Sequence, residues 1–286
     1  GGKAALIDQN ADVVGYVFEE YEIFTDKPGW SEHDASNYWS LACRCIRKLI
    51  AECDISSEQI LGIAVSSALP SMVMINKEGM PLAKAYNLMD RRAQKQVEEV
   101  KRLIGEDEVF DISKNRLDDH PSIINLMWEK ENRPDLYNKI YKALTIDGFV
   151  NYKLTGKATC HYSGAAFYGV AYDLVKKEFN SEILEKVGIS ASLFPDLFRC
   201  DQIIGEVTPA AAEVTGLAQG IPVAAGQVDC NAGWSGAGAI APGDIQMNLG
   251  TCGNFGIIHE KAEFHRSMIA FNYTTDSEKT YITVPT

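Results

Sequence analysis

The chain is short of positive charge. Its 286 residues carry 27 Lys and Arg against 39 Asp and Glu, a formal net charge of -12. That balance argues against nucleic acid and anionic membrane as partners, because both select a positive surface. No apolar run approaches the ~18 residues that would span a bilayer. No signal-peptide pattern opens the sequence. The seven cysteines include no C-x-x-C pair and no framework spacing. Cys43-x-Cys45 falls in a helical stretch and points two ways. Reduced thiols and a cytoplasmic location are the expectation. Internal repeats, low-complexity tracts and flexible linkers are also missing. What remains, 46% hydrophobic and 23% charged, is an ordinary globular composition that can bury a sizeable core. Its length suits one large domain or two.

The chemistry concentrates in residues 221–256. Residues 221–225 read as a short apolar strand, and Asp229 follows. A small-residue helix comes next, with Ala232, Gly233, Gly236, Ala237 and Gly238. Pro242-Gly243-Asp244 makes a turn. Residues 245–249 read as a strand that runs straight into Gly250-Thr251-Cys252-Gly253. A carboxylate where a strand gives way to a helix can be held at the edge of a cleft. A Gly-Thr-x-Gly turn after a strand presents backbone N–H groups to phosphate oxygens. One acid beside one such turn suggests phosphoryl transfer to a hydroxyl.

The rest of the chain supplies a scaffold. Residues 4–8, 13–19 and 21–24 read as three strands of an antiparallel meander. Asp34 or Ser36 can cap a helix whose apolar face is Tyr38, Trp39, Leu41, Ala42, Cys45, Ile46, Leu49 and Ile50. Residues 61–66 (LGIAVS) form a continuous apolar run of the length of a buried central strand. Residues 73–75 begin a further strand, and Asn76-Lys77-Glu78-Gly79 is a hairpin turn. A helix is expected over 93–104, then a polar irregular stretch over 107–119. Asp147 is expected to cap a helix over 148–154 that Gly156 closes. Ser181 is a candidate cap for another.

Four stretches, in order, resemble the FGGY carbohydrate kinases, the family of xylulokinase, gluconokinase and glycerol kinase. Pro28-Gly29-Trp30-Ser31-Glu32-His33-Asp34, with Trp39 beyond, is similar to the family's P-x-W-x-E-x-D…W signature. Residues 66–92 resemble its strand, turn, hairpin and W-x-D-x-R segment, with Leu88 in place of Trp and with Asp90 and Arg92 matching. Residues 143–163 resemble D-[YF]-[VL]-x-x-x-L-T-G, through Asp147, Leu154, Thr155 and Gly156. Residues 221–253 resemble G-x-x-D-x-x-A-G-x-x-G-x-G…L-G-T-x-G. The resemblance implies an α/β chain with the actin-like, ribonuclease-H-like ATPase fold, a mixed sheet with flanking helices. It further implies a sugar-binding lobe over residues 1–245, its first phosphate turn reduced to Gly1-Gly2-Lys3. Residues 246–286 would be the opening strands of an incomplete nucleotide lobe, and the chain alone is expected to be inactive.

The implied activity is ATP-dependent phosphorylation of a sugar, sugar acid or polyol, with Mg²⁺ bridging the phosphates. By resemblance Asp229 is the catalytic base. Gly2, Lys3, Gly250, Thr251 and Gly253 would meet ATP phosphates. Ser67, Leu69, Asp90, Arg92, His120 and Asn231 would border the sugar. Ordinary structural roles compete at each: helix capping for Asp229 and Asp90, a plain turn for Gly250 to Gly253, a solvated loop for His120. No metal ligand is assigned. Trp30, Trp39, Trp128 and Trp234 read as core. Two departures stand out. Ala68-Leu69-Pro70 replaces a Q-M-H-like turn, and His161 stands where many relatives carry Asp. They support a non-catalytic sugar-binding or regulatory member as the alternative, against which the retained Asp229 speaks. An actin- or chaperone-type ATPase of the same fold fits the sugar-side motifs less well. The residues leave the particular sugar open, and a homodimer as well.

Overall fold

The computed structural model describes residues 1–120, 122–249 and 253–285. Gly2–Ile7 and Val13–Glu19 form an antiparallel hairpin, with Gly2 opposite Glu19 and Leu6 opposite Gly15. The helix Ala35–Glu52 covers one face of it, burying Leu41, Cys45 and Leu49 with Val17. Gly2 sits against this helix so closely that a Cβ would fall 2.2 Å from Leu41 Cδ2. Asp34 caps the helix by accepting from the Ser36 N–H at 2.9 Å. The expected third strand at 21–24 does not form. Phe24 makes only a bridge to one edge of Glu32, whose other edge, with His33, pairs with Ala85–Tyr86.

The strand Val73–Ile75 is the divider of the molecule. It pairs antiparallel with Lys142–Leu144, and its residues are at most 1% exposed. Successive side chains of a strand point to opposite faces. Met72 and Met74 accordingly join a core with Ile123, Ile124, Leu126 and Tyr168. Val73 and Ile75 join another with Tyr38, Phe149, Leu154 and Val223. Helices lie on both sides, so the layering is α/β with parallel and antiparallel pairings.

The run at 61–66 is only half buried. Ile63 bridges in parallel to Val223, and Ser66–Ser67 pairs in parallel with Gln227–Val228. Ile63 and Val65 pack on the core, while Leu61 is 73% exposed. Continuous apolarity suggested two covered faces; among the described residues one is covered. The stretch expected to be irregular at 107–119 contains the helix Glu106–Ser113. Its Val109 and Ile112 reach the core, a short apolar face that the surrounding acids mask. The helix Ile146–Thr155 is capped by Thr145, which accepts from the Gly148 N–H, and not by Asp147. Gly156 closes it at φ 74 as expected. Asn180, rather than Ser181, caps Ser181–Lys186.

A four-stranded antiparallel sheet ends the chain. Its order is Ile245–Leu249, Gly253–His259, Tyr281–Pro285, Met268–Asn272. Its Phe271 and Ile282, with Tyr273 just beyond the strand Met268–Asn272, share the first core with Trp234. Trp234 stacks on Phe271 with ring centroids 6.4 Å apart. No helix among the described residues is long and apolar enough to cross a membrane.

Candidate active site

Two parallel strands end side by side and create the site. Val228 lies opposite Ser67. Beyond Val228 the chain turns into the helix Asp229–Gly236, with Asp229 its first residue. Beyond Ser67 it enters the turn Ala68-Leu69-Pro70. Ligands in sheets of this kind bind outside the carboxyl ends of parallel strands. Asp229 stands at that edge and is exposed.

Its surroundings leave it available. One carboxylate oxygen accepts the Cys230 N–H at 2.7 Å, and no other side chain bonds to it among the described residues. The protein around it raises the Asp229 pKa by desolvation, opposed by backbone N–H bonds, with the Asp147 charge adding to the rise. The helix N-terminus favours the anion. The neighbouring Cys230 thiol is pushed up to about 12 by burial and by Asp229, so it stays protonated at neutral pH.

Beneath this edge lies a buried polar cluster. Ser67 donates its hydroxyl to Asp147 Oδ1 and accepts the Asp147 N–H at 3.3 Å. Asp147 Oδ2 lies 3.0 Å from His161 Nε2, both side chains 0% exposed. The two atoms are imperfectly aligned and have no other partner. His161 Nδ1 accepts the Gly164 N–H at 2.8 Å and lies 2.8 Å from Ser163 Oγ. Burial pushes the Asp147 pKa up, but His161 and the Ser67 and Thr145 bonds outweigh it and hold the carboxyl below its usual range. Burial likewise opposes a charged His161, while the Asp147 carboxylate favours one. The hydrogen bonds decide between these pulls. An imidazolium cannot accept the Gly164 N–H, so the ring is neutral with its proton on Nε2, facing Asp147.

The other expected site residues divide into engaged and open. Asp90 is 2% exposed and accepts from the Ser31 N–H at 2.8 Å. Arg92 binds Asp90 at 2.6 Å and Glu32 at 2.8 Å. The guanidinium lies 3.6 Å from the Trp30 ring centroid and 4.2 Å from that of Tyr86. Asn231, 0% exposed, donates to Thr274 Oγ1 at 3.0 Å and Asn272 O at 3.3 Å, tying the helix to the terminal sheet. His120 is half-buried, with Nδ1 2.6 Å from Asp118 Oδ1 and 3.0 Å from Asp119 Oδ1. These three side chains are the one group among the described residues with metal-ligand spacing, their donor atoms within 4.8 Å. Arg91 and Arg116 already face the two acids. Leu69 is half-buried and Ala68 exposed. Gly2 and Lys3 lie in the first hairpin strand, Lys3 5.6 Å from the Phe18 ring centroid. Gly250 and Thr251 fall outside the described residues; Gly253 opens its strand opposite Leu249. The role of Asp147 beneath Ser67 escaped the sequence, since a helix-start Asp reads first as a cap. His161 was visible only as a departure from the family pattern.

The fold is that of the actin-like ATPases. The chain belongs to the FGGY family of carbohydrate kinases, whose N-terminal domain model matches residues 1–236. It is 28% identical over 251 residues to xylulose kinase of Bacillus subtilis (strain 168), covering 88% of this chain and 50% of that protein. It is 29% identical over 248 residues to autoinducer-2 kinase of Escherichia coli (strain K12), covering 86% and 46%. The crystal structure of xylulose kinase from Rhodospirillum rubrum superposes with a TM-score of 0.93 at 23% identity, over 99% of this chain and 57% of that one. The chain thus spans about half the length of the curated relatives it matches.

Proposed function

We propose that the chain is the sugar-side lobe of an ATP-dependent kinase that phosphorylates a sugar, sugar acid or polyol hydroxyl, with Asp229 as general base. The observation that carries this is a single open carboxylate at the carboxyl edge of two parallel strands, on the first residue of a helix. Family membership and the kinase names of the relatives support the reaction class.

The hydroxyl of the acceptor would lie against the free side of Asp229. Asp229 orients it and takes its proton as the oxygen–phosphorus bond forms and the bond to the leaving phosphate breaks. In a loose transition state this positioning is the larger part of the work. ATP, when bound, supplies the phosphoryl group, and Mg²⁺ offsets the phosphate charge that an acidic protein repels. Gly250, Thr251 and Gly253 would offer phosphate donors, and Gly2 and Lys3 would flank them. Leu69 and His120 would wall the sugar. Ser67, Asp90, Arg92 and Asn231 would act from behind, shaping the turn and helix that touch it. A cytoplasmic setting fits the unpaired thiols.

A panel of ketoses, polyols and sugar acids with ATP, assayed on a full-length protein carrying this lobe, tests the proposal. Turnover of at least one acceptor, abolished by Asp229→Ala, is expected. No phosphorylation of any acceptor, or undiminished turnover by Asp229→Ala, would sink it.

A further inference from the structure

The ladder that places Asp229 is very short. It comprises two residue pairs, Gln227 with Ser66 and Val228 with Ser67. Backbone bonds further back tie the same strands, Ile63 to Val223 and the Gln227 N–H to Val65 O, but Val228 with Ser67 is the last pair before Asp229, and a displacement of 1 Å at a reacting group can cost ~10²-fold in rate. Side chains must help to hold this edge still, Asn231 from the helix side and the buried cluster from the strand side.

The buried cluster is placed to do so. Ser67 faces Val228, the residue before Asp229. Its hydroxyl is turned inward, donating to Asp147 and accepting the Asp147 N–H. Asp147 is fixed in turn by the start of the helix Ile146–Thr155 and by His161 Nε2 at 3.0 Å. His161 is the last residue of the strand Thr159–His161 and is anchored by the Gly164 N–H. Three elements therefore meet on one carboxylate. Losing a bond to a buried carboxylate is costly, so Asp147 tolerates little movement of Ser67.

We propose that Asp147 and His161 form a buried brace that, through the Ser67 hydroxyl, fixes the position of Asp229. These three are positioning residues and touch no substrate. The inference rests on the proposed role of Asp229. The brace depends on Nε2 of His161, whereas the local cap depends on Nδ1. The two roles can be separated by substitution, because an Asn oxygen falls near Nδ1 and a Gln amide nitrogen near Nε2.

The test is steady-state kinetics and thermal melting of a full-length protein carrying His161→Ala, His161→Asn, His161→Gln, Asp147→Asn, Ser67→Ala or Asp229→Ala. Assays are run below the lowest melting temperature of the set. His161→Ala, Asp147→Asn and Ser67→Ala are expected to lower kcat by about 10- to 100-fold with the sugar KM within about twofold. His161→Gln should recover kcat to within about threefold, and His161→Asn should recover melting but not kcat. Recovery of kcat by Asn as complete as by Gln would reduce His161 to a cap and overturn the brace. So would unchanged kcat in Ser67→Ala and Asp147→Asn while Asp229→Ala is dead. Full activity of Asp229→Ala would instead remove the base itself, and the brace with it.

Discussion

Asp90 and Asp229 both stand at the approach to a helix, and the fold treats them in opposite ways. Asp90 is 2% exposed. It is met by the Ser31 N–H, by the Arg92 N–H at 3.1 Å and by the Arg92 guanidinium at 2.6 Å. Glu32, Trp30 and Tyr86 complete the cage around Arg92. Asp229 is exposed and bonded to the Cys230 N–H. Both acids match a family motif, so the motif alone does not separate them. The difference lies in satisfied valence. Asp90 is committed to holding the residue 29–32 loop against its helix, and Asp229 keeps its capacity for a partner the protein does not supply.

The comparison breaks most sharply at Asp229. Asp229→Asn keeps the shape and the Cys230 bond but removes the base. Turnover of a full-length protein should fall ~10²- to 10⁴-fold, with melting unchanged. A rate within threefold of the parent would mean that Asp229, like Asp90, is a structural acid. Arg92→Ala should do the reverse. It leaves Asp90 and Glu32 buried without their cation, at a cost of about 3–5 kcal/mol, read by urea unfolding of this chain. Adding Asp90→Asn should recover part of that loss. A loss below 1 kcal/mol would show that the cage is not holding the loop.

This contrast also marks what the residues disclosed. The helix caps at Asp34 and Gly156, the strand at 245–249 and the helix after Asp229 follow local rules, and local rules are readable. The run at 61–66 misled because apolarity reports what a face prefers, not how many faces are covered. The helix Glu106–Ser113 was hidden by five polar residues around Val109, Phe110 and Ile112. At the site, Asp229 was legible because a strand, an acid and a small-residue helix are contiguous. The brace was not, because Ser67 lies 80 residues from Asp147 in sequence. The Arg92 cage was half legible: Asp90 and Arg92 stood out as a pair, but Glu32, Trp30 and Tyr86 meet them only in three dimensions.

A smaller effect comes from His33, beside the same loop. Burial lowers its pKa to about 4. Its Nδ1 lies 2.6 Å from the Tyr38 hydroxyl, and Tyr21 packs edge-on at 4.8 Å. The folded state therefore prefers the neutral ring, and the unfolded chain takes up the proton first as pH falls. His33 gives its full contribution above pH ~6.5 and loses it as pH drops toward ~4, a total of about 3 kcal/mol at most. His33→Gln should flatten the stability profile across that window. An unaltered slope would place the acid sensitivity elsewhere in the chain.

The smallest effect sharpens the comparison by supplying its control. Asp34 is a third aspartate at a helix start, and it belongs to neither extreme. It accepts the Ser36 N–H at 2.9 Å, in the N-cap position of Ala35–Glu52, with no ion-pair partner among the described residues. Its removal as Asp34→Ala should cost about 1 kcal/mol, the ordinary worth of a cap, and should leave kcat and KM of a full-length protein unchanged. If Asp34→Ala costs as much as Arg92→Ala, the cage around Arg92 adds nothing beyond local capping. If it lowers kcat, the edge carrying Asp229 is coupled to the start of the helix Ala35–Glu52, and openness of a carboxylate ceases to be a sufficient sign of catalysis here.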